Sequence, residues 1–402
     1  MGRLVPWALA FTYATLPLFP SFIALTPVSF PGISLVSQTF ALVLFAVISL
    51  VAIYAVIALA TPPYVPQPLL VPLLVWLGAA LLSGTLGFDP RAGLLFDLIF
   101  GFGILWHCAL LRYYEEPGVA RATFVAYLGS GTLAAAAAIA MVVTRRPPEL
   151  YAIGHGRAVG TFVLPGELAG YLIVFLPIAY AVARIARERW LRALAIAAAC
   201  VGAIAFAMTF SRAGWMGLAA AAAFFVAVRA RGSRRTWAVV AALAVAALLA
   251  ASLVFNAHHD PSENYTRLAI WQAALSMVNR FPLTGVGPFG FSHVYAVVRL
   301  PDGEPVAFHA HSVYLTFLAE TGLIGFSAFV WTCWRFAREL VDRLKTATPD
   351  GALLAWAATA GLVGTLVQGA IDTVTVVIFG LWLATMGLAL VAARSGLPGE
   401  RG

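Results

Sequence analysis

Charged side chains are scarce in this chain, because Asp, Glu, Lys and Arg together make up only 10% of its 402 residues. Hydrophobic residues account for 62%, a balance that excludes a soluble globular domain and predicts a protein embedded in a lipid bilayer. The chain has three cysteines, Cys108, Cys200 and Cys333, and each lies within or at the end of an apolar stretch. They therefore offer no disulfide in the polar loops and no metal-binding spacing.

Internal symmetry is lacking as well, since no repeat of fixed period and no matching pair of interrupted apolar stretches can be found. Secondary transporters often show such symmetry, so its absence weighs against a transporter or lipid flippase, the main alternative outside the enzymes. The net charge of +8 comes mostly from basic residues that orient membrane helices. It therefore gives no reason to expect nucleic acid as a partner.

Apolar stretches long enough to cross a bilayer, which takes roughly 20 residues, occur about twelve times. They lie near residues 5–25, 36–60, 67–85, 92–112, 119–143, 163–183, 193–210, 213–229, 236–256, 312–334, 351–371 and 374–393. The two shortest, 193–210 and 213–229, are separated only by a polar Ser211-Arg212 break. The sequence predicts an all-α integral membrane bundle of about twelve transmembrane helices, forming one polytopic domain over residues 1–402.

The basic residues predict the orientation, because they concentrate in cytoplasmic loops. With both termini in the cytoplasm, seventeen of the 25 basic residues fall on the cytoplasmic side. The outer side then keeps arginines that topology does not require: Arg91, Arg145, Arg146, Arg157, Arg212, Arg267, Arg280 and Arg299. Outer carboxylates are few by comparison, which favours an anionic ligand on that side.

A polar loop at residues 257–311, between the ninth and tenth spans, interrupts the hydrophobic pattern and is where we expect an active site. Within it, Ser262 to Asn279 reads as an amphipathic helix, with Arg267 at the middle of its apolar arc. The arc is predicted to contain Leu268, Ile270, Trp271, Leu275, Met277 and Val278. The long loop also carries Arg280, His293, Arg299, His309 and His311.

Arg267 and Arg212 are the candidate anion-binding residues. A charge on an apolar helical face needs an anionic partner, either a bound phosphate or a protein carboxylate. The outer carboxylates available to Arg267 are Glu167, Glu263 and Asp372. Arg212 either extends to the membrane interface as an ordinary arginine or reaches the same anion as Arg267. Two arginines at this depth would suit a lipid diphosphate.

His311, at the start of the tenth span, is the candidate general base. A helix N-terminus disfavours an imidazolium, and a neutral imidazole is able to accept a proton. The alternative is an ordinary interfacial histidine. Glu320 lies nine residues further on, about 180° around the helix, and is expected to be a buried structural acid.

Two further patterns in the long loop are weak. His293, His309 and His311 lack a cysteine or suitably spaced acid to complete a zinc site, so we expect no metal. The segment Gly285-Val286-Gly287-Pro288-Phe289-Gly290 matches G-x-G-x-x-G, but no strand precedes it, which excludes a dinucleotide site. Its glycines are expected to permit a tight loop over a ligand.

Five ordered motifs resemble the O-antigen ligases and polymerases of bacterial surface-polysaccharide assembly. They are Ser211-Arg212-Ala213-Gly214, Arg267-Leu268-Ala269-Ile270-Trp271, Pro282-Leu283-Thr284-Gly285-Val286-Gly287, His311-Ser312-Val313-Tyr314-Leu315 and Glu320-Thr321-Gly322-Leu323-Ile324-Gly325. Arg157-Ala158-Val159-Gly160-Thr161-Phe162 is similar to a further segment of that family. The resemblance runs from about residue 150 to residue 330.

The resemblance implies a GT-C-like bundle that transfers glycan at the periplasmic face of the bacterial inner membrane. The donor would be an undecaprenyl diphosphate-linked glycan, and a ligase would use a sugar hydroxyl of lipid A-core as acceptor. Polymerases extend the glycan instead, and a third branch transfers it to protein. The chain length and the lack of a large outer domain after Gly325 favour the ligase.

From these residues we predict a metal-independent, inverting glycosyltransferase without a cofactor. Arg212 and Arg267 would hold the diphosphate and His311 would deprotonate the acceptor. Four further residues are second-tier candidates for the site: Arg157, Arg280, His309 and Tyr314.

Overall fold

A computed structural model describes most of residues 64–229, 262–372 and 377–395, together with isolated earlier positions. The described helices are Leu70–Leu86 (α1), Pro90–Tyr113 (α2), Val119–Thr144 (α3), Pro148–Ile153 (α4), Pro165–Ile185 (α5), Arg189–Met208 (α6), Arg212–Arg229 (α7), Ser262–Arg280 (α8), Phe291–Val298 (α9), Val313–Leu344 (α10), Pro349–Gln368 (α11) and Val377–Ser395 (α12). The spans predicted near 5–25, 36–60 and 236–256 lie almost entirely outside the described residues.

Seven of the described helices are long and apolar enough to cross a membrane: α2, α3, α5, α6, α7, α10 and α11. Helix α1 and the Trp382–Arg394 part of α12 are shorter apolar helices. The prediction of an all-helical polytopic membrane protein is thereby confirmed, while the number of twelve spans stays a prediction. The polar break before Arg212 does separate two helices, since α6 ends at Met208 and α7 begins at Arg212.

Helices α5, α7 and α11 form the tightly packed centre of the bundle. A Cβ atom on Gly217 of α7 would lie 2.6 Å from the carbonyl oxygen of Gly364 in α11. A Cβ on Gly361 of α11 would lie 2.7 Å from the Cα atom of Val174 in α5. Glycine therefore lets these backbones approach closely, which is how helices gain packing energy in lipid.

The polar loop 281–311 lies at one end of the helical bundle. The starts of α2, α5, α7 and α10 share one end with the finish of α11, which we call the loop end because residues 281–311 lie there. Backbone contacts fix this arrangement: Phe88 N–H donates to the Val286 carbonyl at 3.0 Å, and Val313 N–H donates to the Gly369 carbonyl at 2.7 Å. The other end is called the opposite end.

Helix α10 is too long for a single straight crossing, because its 32 residues would span about 48 Å. It is interrupted at Gly322, whose φ of 62° and ψ of −168° are not helical. The part after Gly322 has about 22 residues and by itself reaches about 33 Å, enough for the bilayer core. The first nine residues, Val313–Thr321, are therefore not needed to cross the bilayer core and form part of the loop end.

The glycine-containing segment 282–290 packs directly against this break in α10. Val286 N–H donates to the Ala319 carbonyl and Gly287 N–H donates to the Glu320 carbonyl, both at 2.9 Å. A Cβ atom on Gly322 would collide with the carbonyl of Leu283. The glycines allow close contact between two stretches of protein backbone, while the tight loop over a ligand stays a prediction.

Glu320 belongs to the same contact. Its carboxylate is buried and accepts hydrogen bonds from the backbone N–H groups of Phe289 and Phe291. The prediction of a buried structural acid is therefore confirmed. Glu320 anchors the segment that follows the glycines to the broken part of α10.

Helix α8 forms where it was predicted, and its buried face shares Ile270 and Met277 with the predicted arc but is rotated away from Leu268 and Leu275. It buries a stripe of mostly small residues, Ala269, Ile270, Ala273, Ala274 and Met277. Leu268 and Leu275, predicted on the buried arc, are 56% and 49% exposed. The alanines allow α8 to lie close against α9 and α10, and this close approach leaves the two leucines outside. Arg267 consequently lies at the edge of the buried stripe and is half-buried.

Candidate functional site

The start of α10 is clamped to the finish of α11, and this clamp positions His311. Besides the bond from Val313 N–H to Gly369, the Tyr314 hydroxyl donates to the Leu366 carbonyl at 2.7 Å. His311, two residues before Val313, thereby comes to lie beside Asp372, three residues after Gly369. Its Nδ1 atom is 4.0 Å from Oδ1 of Asp372. Tyr314, a second-tier candidate, thus holds the helix that carries His311.

Asp372 is itself anchored to two helices. Its N–H donates to the Gln368 carbonyl at 3.1 Å, and the Gln368 side chain donates to the Gly166 carbonyl at 2.7 Å. Gly166 is the second residue of α5, and a Cβ atom there would collide with Oδ2 of Asp372. The carboxylate therefore lies against the start of α5, where the helix dipole favours a negative charge.

The charges around Asp372 decide its ionisation. Burial by itself would raise the pKa of Asp372, but His311, Arg267 and His309 together outweigh this effect and hold the pKa below its usual range. Asp372 is consequently a carboxylate at neutral pH. It is the group on which one arginine and two histidines from distant parts of the chain converge.

His311 has an unusual backbone conformation for a side chain of its size, with a φ of 48°. Its N–H donates to Nδ1 of His309 at 3.3 Å, and the two imidazole rings lie 4.5 Å apart in an edge-to-face arrangement. The intervening residue, Ala310, donates its N–H to Oγ1 of Thr316 at 3.1 Å. The turn before α10 is thus stabilised by hydrogen bonds to the preceding loop and to the first turn of α10.

His309 is electrically different from an ordinary surface histidine. Burial and, to a smaller extent, His311 lower the pKa of His309, and Asp372 and a hydrogen bond to its own backbone only partly offset them, so that the pKa falls to about 3. His309 is therefore neutral at physiological pH. The hydrogen bond from the His311 N–H requires an unprotonated Nδ1 atom, so the proton of His309 lies on Nε2.

Arg212 is the first residue of α7 and is 8% exposed. The turn before it is ordered by the Ser211 hydroxyl, which accepts the N–H of Gly214 at 3.1 Å. Gly214 packs against Ala169 of α5, one turn beyond the Gly166 that contacts Asp372. The turn that carries Arg212 and the Asp372 carboxylate therefore both lie against the first turns of α5.

Arg157 lies on the neighbouring loop and is half-buried. Its Nε donates to the Gly154 carbonyl at 3.2 Å, and the next residue, Ala158, donates its N–H to the Met208 carbonyl at 2.9 Å. Met208 ends α6, four residues before Arg212. The structure thus brings the Arg157 loop to the turn that carries Arg212.

Arg280 and His293 lie away from this group. Arg280 is exposed at the last position of α8, thirteen residues beyond Arg267 and therefore about 20 Å along the helix. His293 is exposed and lies 3.9 Å from the carboxylate of Asp89. The structure does not assemble either residue with Arg267, His309 and His311.

Sequence reasoning named Asp372 only as one of three possible partners of Arg267 and missed its position beside His311. Of the other two, Glu167 accepts the N–H of Leu164 at the start of its own helix, and the side chain of Glu263 lies outside the described residues. A usable signal was available, because Asp372 and His311 flank predicted spans on the same side of the membrane. Within the described ranges, no three His, Cys, Asp or Glu side chains converge as metal ligands would.

Residues 197–330 match the model of a family described as O-antigen ligase. This range contains Arg212, Arg267, His309 and His311, and it ends before Asp372. No curated protein matches the chain.

Proposed function

From the assignment of residues 197–330 to the O-antigen ligase family, we propose that this protein transfers O-antigen glycan from undecaprenyl diphosphate to a sugar hydroxyl of lipid A-core. The observation that carries the proposal is the convergence of Arg267, His309 and His311 on Asp372 at the end of the bundle that also holds Arg212. Arg212 and Arg267 bring two guanidinium groups to this end of the bundle, which suits an anionic donor.

Arg212 and Arg267 bind the diphosphate of the donor in this proposal. Guanidinium groups donate paired hydrogen bonds to phosphate oxygens and keep their charge at any physiological pH. As the bond between the anomeric carbon and the diphosphate oxygen breaks, negative charge grows on the leaving group, and the two arginines stabilise it. They supply the charge stabilisation that a divalent cation supplies in many phosphate-transfer enzymes.

His311 is the general base, and Asp372 orients it. The Nδ1 atom of His311 faces the Asp372 carboxylate, which leaves Nε2 to accept the proton of the acceptor hydroxyl. The hydroxyl oxygen forms the new bond to the anomeric carbon as the diphosphate leaves from the opposite side, so the configuration inverts. The nearby carboxylate stabilises the imidazolium that results, as in other histidine–aspartate pairs.

We place the loop end in the periplasm. The opposite end holds the starts and ends of helices that carry Arg121, Arg184, Arg192, Arg343 and Arg394. Basic residues concentrate on the cytoplasmic side of membrane proteins, which supports this orientation. The donor would then enter from the outer leaflet of the inner membrane, with its diphosphate at the level of the arginines.

Two alternatives use the same site differently. A polymerase would transfer the glycan to another lipid-linked glycan, and a protein-directed relative would transfer it to a polypeptide. A lipid flippase, the alternative from another class, would need no general base and would be unaffected by removal of an imidazole.

The test is transfer by the purified protein in vitro, with diphospholipid-linked glycan as donor and rough lipopolysaccharide as acceptor. We expect glycan on the lipid A-core, detected by its reduced mobility in gels and by mass spectrometry. Longer lipid-linked chains would instead identify a polymerase. The absence of any glycosidic product, together with movement of donor between leaflets, would contradict the proposal.

A second arm of the assay addresses metal. We expect transfer to be unaffected by EDTA, because the arginines already stabilise the leaving group. Strong inhibition by EDTA that a divalent cation reverses would contradict the metal-independent mechanism.

A further inference from the structure

We infer that His309 is a positioning residue for the general base, acting through the hydrogen bond that its Nδ1 atom accepts from the backbone of His311. The inference rests on the proposed role of His311. His309 contributes no proton transfer in this account. It holds the neighbouring imidazole at the Asp372 carboxylate.

The backbone of His311 needs such support because of its conformation. A φ of 48° places His311 in the left-handed region, which costs free energy for a residue that has a side chain. Two contacts offset this cost: the 3.3 Å hydrogen bond from the His311 N–H to His309, and the edge-to-face packing of the two rings. Both involve the side chain of His309.

The left-handed conformation has a consequence for the site. It turns the chain sharply between the loop and α10, just before Ser312 caps that helix with its hydroxyl. Without this turn, the His311 ring would follow the loop away from α11, and the 4.0 Å approach of Nδ1 to Asp372 would be lost. The position of the ring therefore depends on the acceptor supplied by His309.

Only a neutral His309 performs this role, since a protonated Nδ1 atom cannot accept a hydrogen bond. Burial lowers the pKa of His309 to about 3, which keeps the acceptor available throughout the physiological range. Of the two neighbouring histidines, His309 is thus a hydrogen-bond acceptor in the protein, and His311 is the one that contacts the substrate.

Two substitutions separate the acceptor from the ring. In His309→Asn, the amide oxygen takes the position of Nδ1 and still accepts the His311 N–H. In His309→Phe, the aromatic ring is kept and the acceptor is lost. We expect His309→Asn to retain kcat within about threefold of wild type, and His309→Phe to lose about tenfold or more, the factor expected for one hydrogen bond of about 1.4 kcal/mol.

The Michaelis constants distinguish positioning from general damage. Because Arg212 and Arg267 are untouched, both variants should keep the donor KM within about twofold of wild type, so that the loss in His309→Phe appears in kcat. A collapsed site would instead change both constants. Each variant is first shown to elute as one peak in detergent with a melting temperature near that of wild type.

Reactivity of His311 gives a readout that needs no substrate. Its side chain is 34% exposed, so diethyl pyrocarbonate can modify it, and mass spectrometry can follow the rate. We expect His309→Phe to change this rate about threefold or more, the factor expected when a hydrogen bond near the lower end of the usual range is lost. His309→Asn should match wild type.

Several outcomes would overturn the inference. His309→Phe with full kcat and an unchanged modification rate would show that the acceptor is unnecessary. His309→Asn as slow as His309→Phe would show that the imidazole itself is needed, and would point to His309 as the base. If the modification rates follow the inference but His311→Ala retains transfer, the failure lies in the proposed function and not in the positioning.

Discussion

Helix α10 has charged groups at both of its ends, and they are organised in two different ways. At the opposite end, Arg343 pairs with Glu339 at 2.7 Å and Lys345 pairs with Asp342 at 2.6 Å. Both pairs form within about one turn of the same helix. At the loop end, the Asp372 carboxylate faces Arg267 from one stretch of the chain and His309 and His311 from another.

We interpret the difference as one between charges that orient the helices in the membrane and charges that bind the proposed donor. A pair three or four residues apart satisfies itself locally and contributes little beyond the stability of its own helix. A cluster assembled from distant segments costs more to organise, because several parts of the chain have to be ordered together. In our proposal the loop end binds the anionic donor and the opposite end orients the protein in the membrane.

Removal of one histidine at the loop end should have the largest effect on transfer. His311→Ala should lower transfer by about 10³-fold or more, within the range expected for loss of a general base, while the protein stays folded. Lys345→Ala, at the opposite end, should leave transfer unchanged. The measurement is the initial rate in the in vitro assay, and comparable losses in both variants would erase the distinction between the ends.

The next effect concerns the two arginines. Arg212→Gln and Arg267→Gln should each lower kcat/KM for the donor by about 10²-fold, because each removes a charge that stabilises the leaving diphosphate. Arg394→Gln is the matched control, since Arg394 pairs with Glu115 at 3.0 Å at the opposite end. Full activity in either loop-end variant would remove that arginine from the diphosphate site.

Replacing Asp372 with asparagine removes the negative charge and keeps the size and shape of the side chain. Asp372→Asn should lower kcat by about 10- to 100-fold, since the amide cannot stabilise the imidazolium formed on His311. The donor KM should change less than in the arginine variants. Asp342→Asn serves as the control at the opposite end, and equal kcat for the two aspartate variants would contradict the orienting role.

The smallest expected effect is on stability as a function of pH. The pKa of His309 is lowered to about 3 in the folded protein, against about 6.5 when unfolded. Between these values the unfolded chain binds more protons, so stability rises with pH and is progressively lost on acidification below about 6.5. His311 and Asp372 face this histidine.

The matched variant isolates the contribution of His309. On going from pH 7.5 to pH 5.0, wild type should lose more melting temperature than His309→Asn, by on the order of 1–3 °C. The measurement is thermal unfolding of the two proteins in the same detergent. Equal losses would mean that His309 is not held neutral by its surroundings.

Much of the helical architecture could be predicted from the sequence, because apolar length is a local property. The stretch predicted near 213–229 appears as Arg212–Arg229, and the helix predicted from Ser262 to Asn279 appears as Ser262–Arg280. The face of α8 could not be predicted in the same way. Leu268 and Leu275 are more hydrophobic than alanine, yet the alanines are buried because they allow a closer approach to α9 and α10.

The candidate site shows the same limit. Arg212, Arg267 and His311 could be singled out because polar side chains are conspicuous against an apolar background. Asp372 lies 61 residues after His311 along the chain, and nothing in the spacing relates the two. Their proximity follows from the bonds that join Val313 to Gly369 and Tyr314 to Leu366.

The order of apolar and polar residues is enough to show that this protein lies in a membrane, where its helices run and which polar residues remain outside the lipid, because the bilayer acts on each segment separately. Which of those polar residues come together depends on how the helices pack. The packing of α5, α10 and α11 brings His311 beside Asp372 and places Asp372 against the start of α5, because it aligns the ends of three helices that are far apart in the chain.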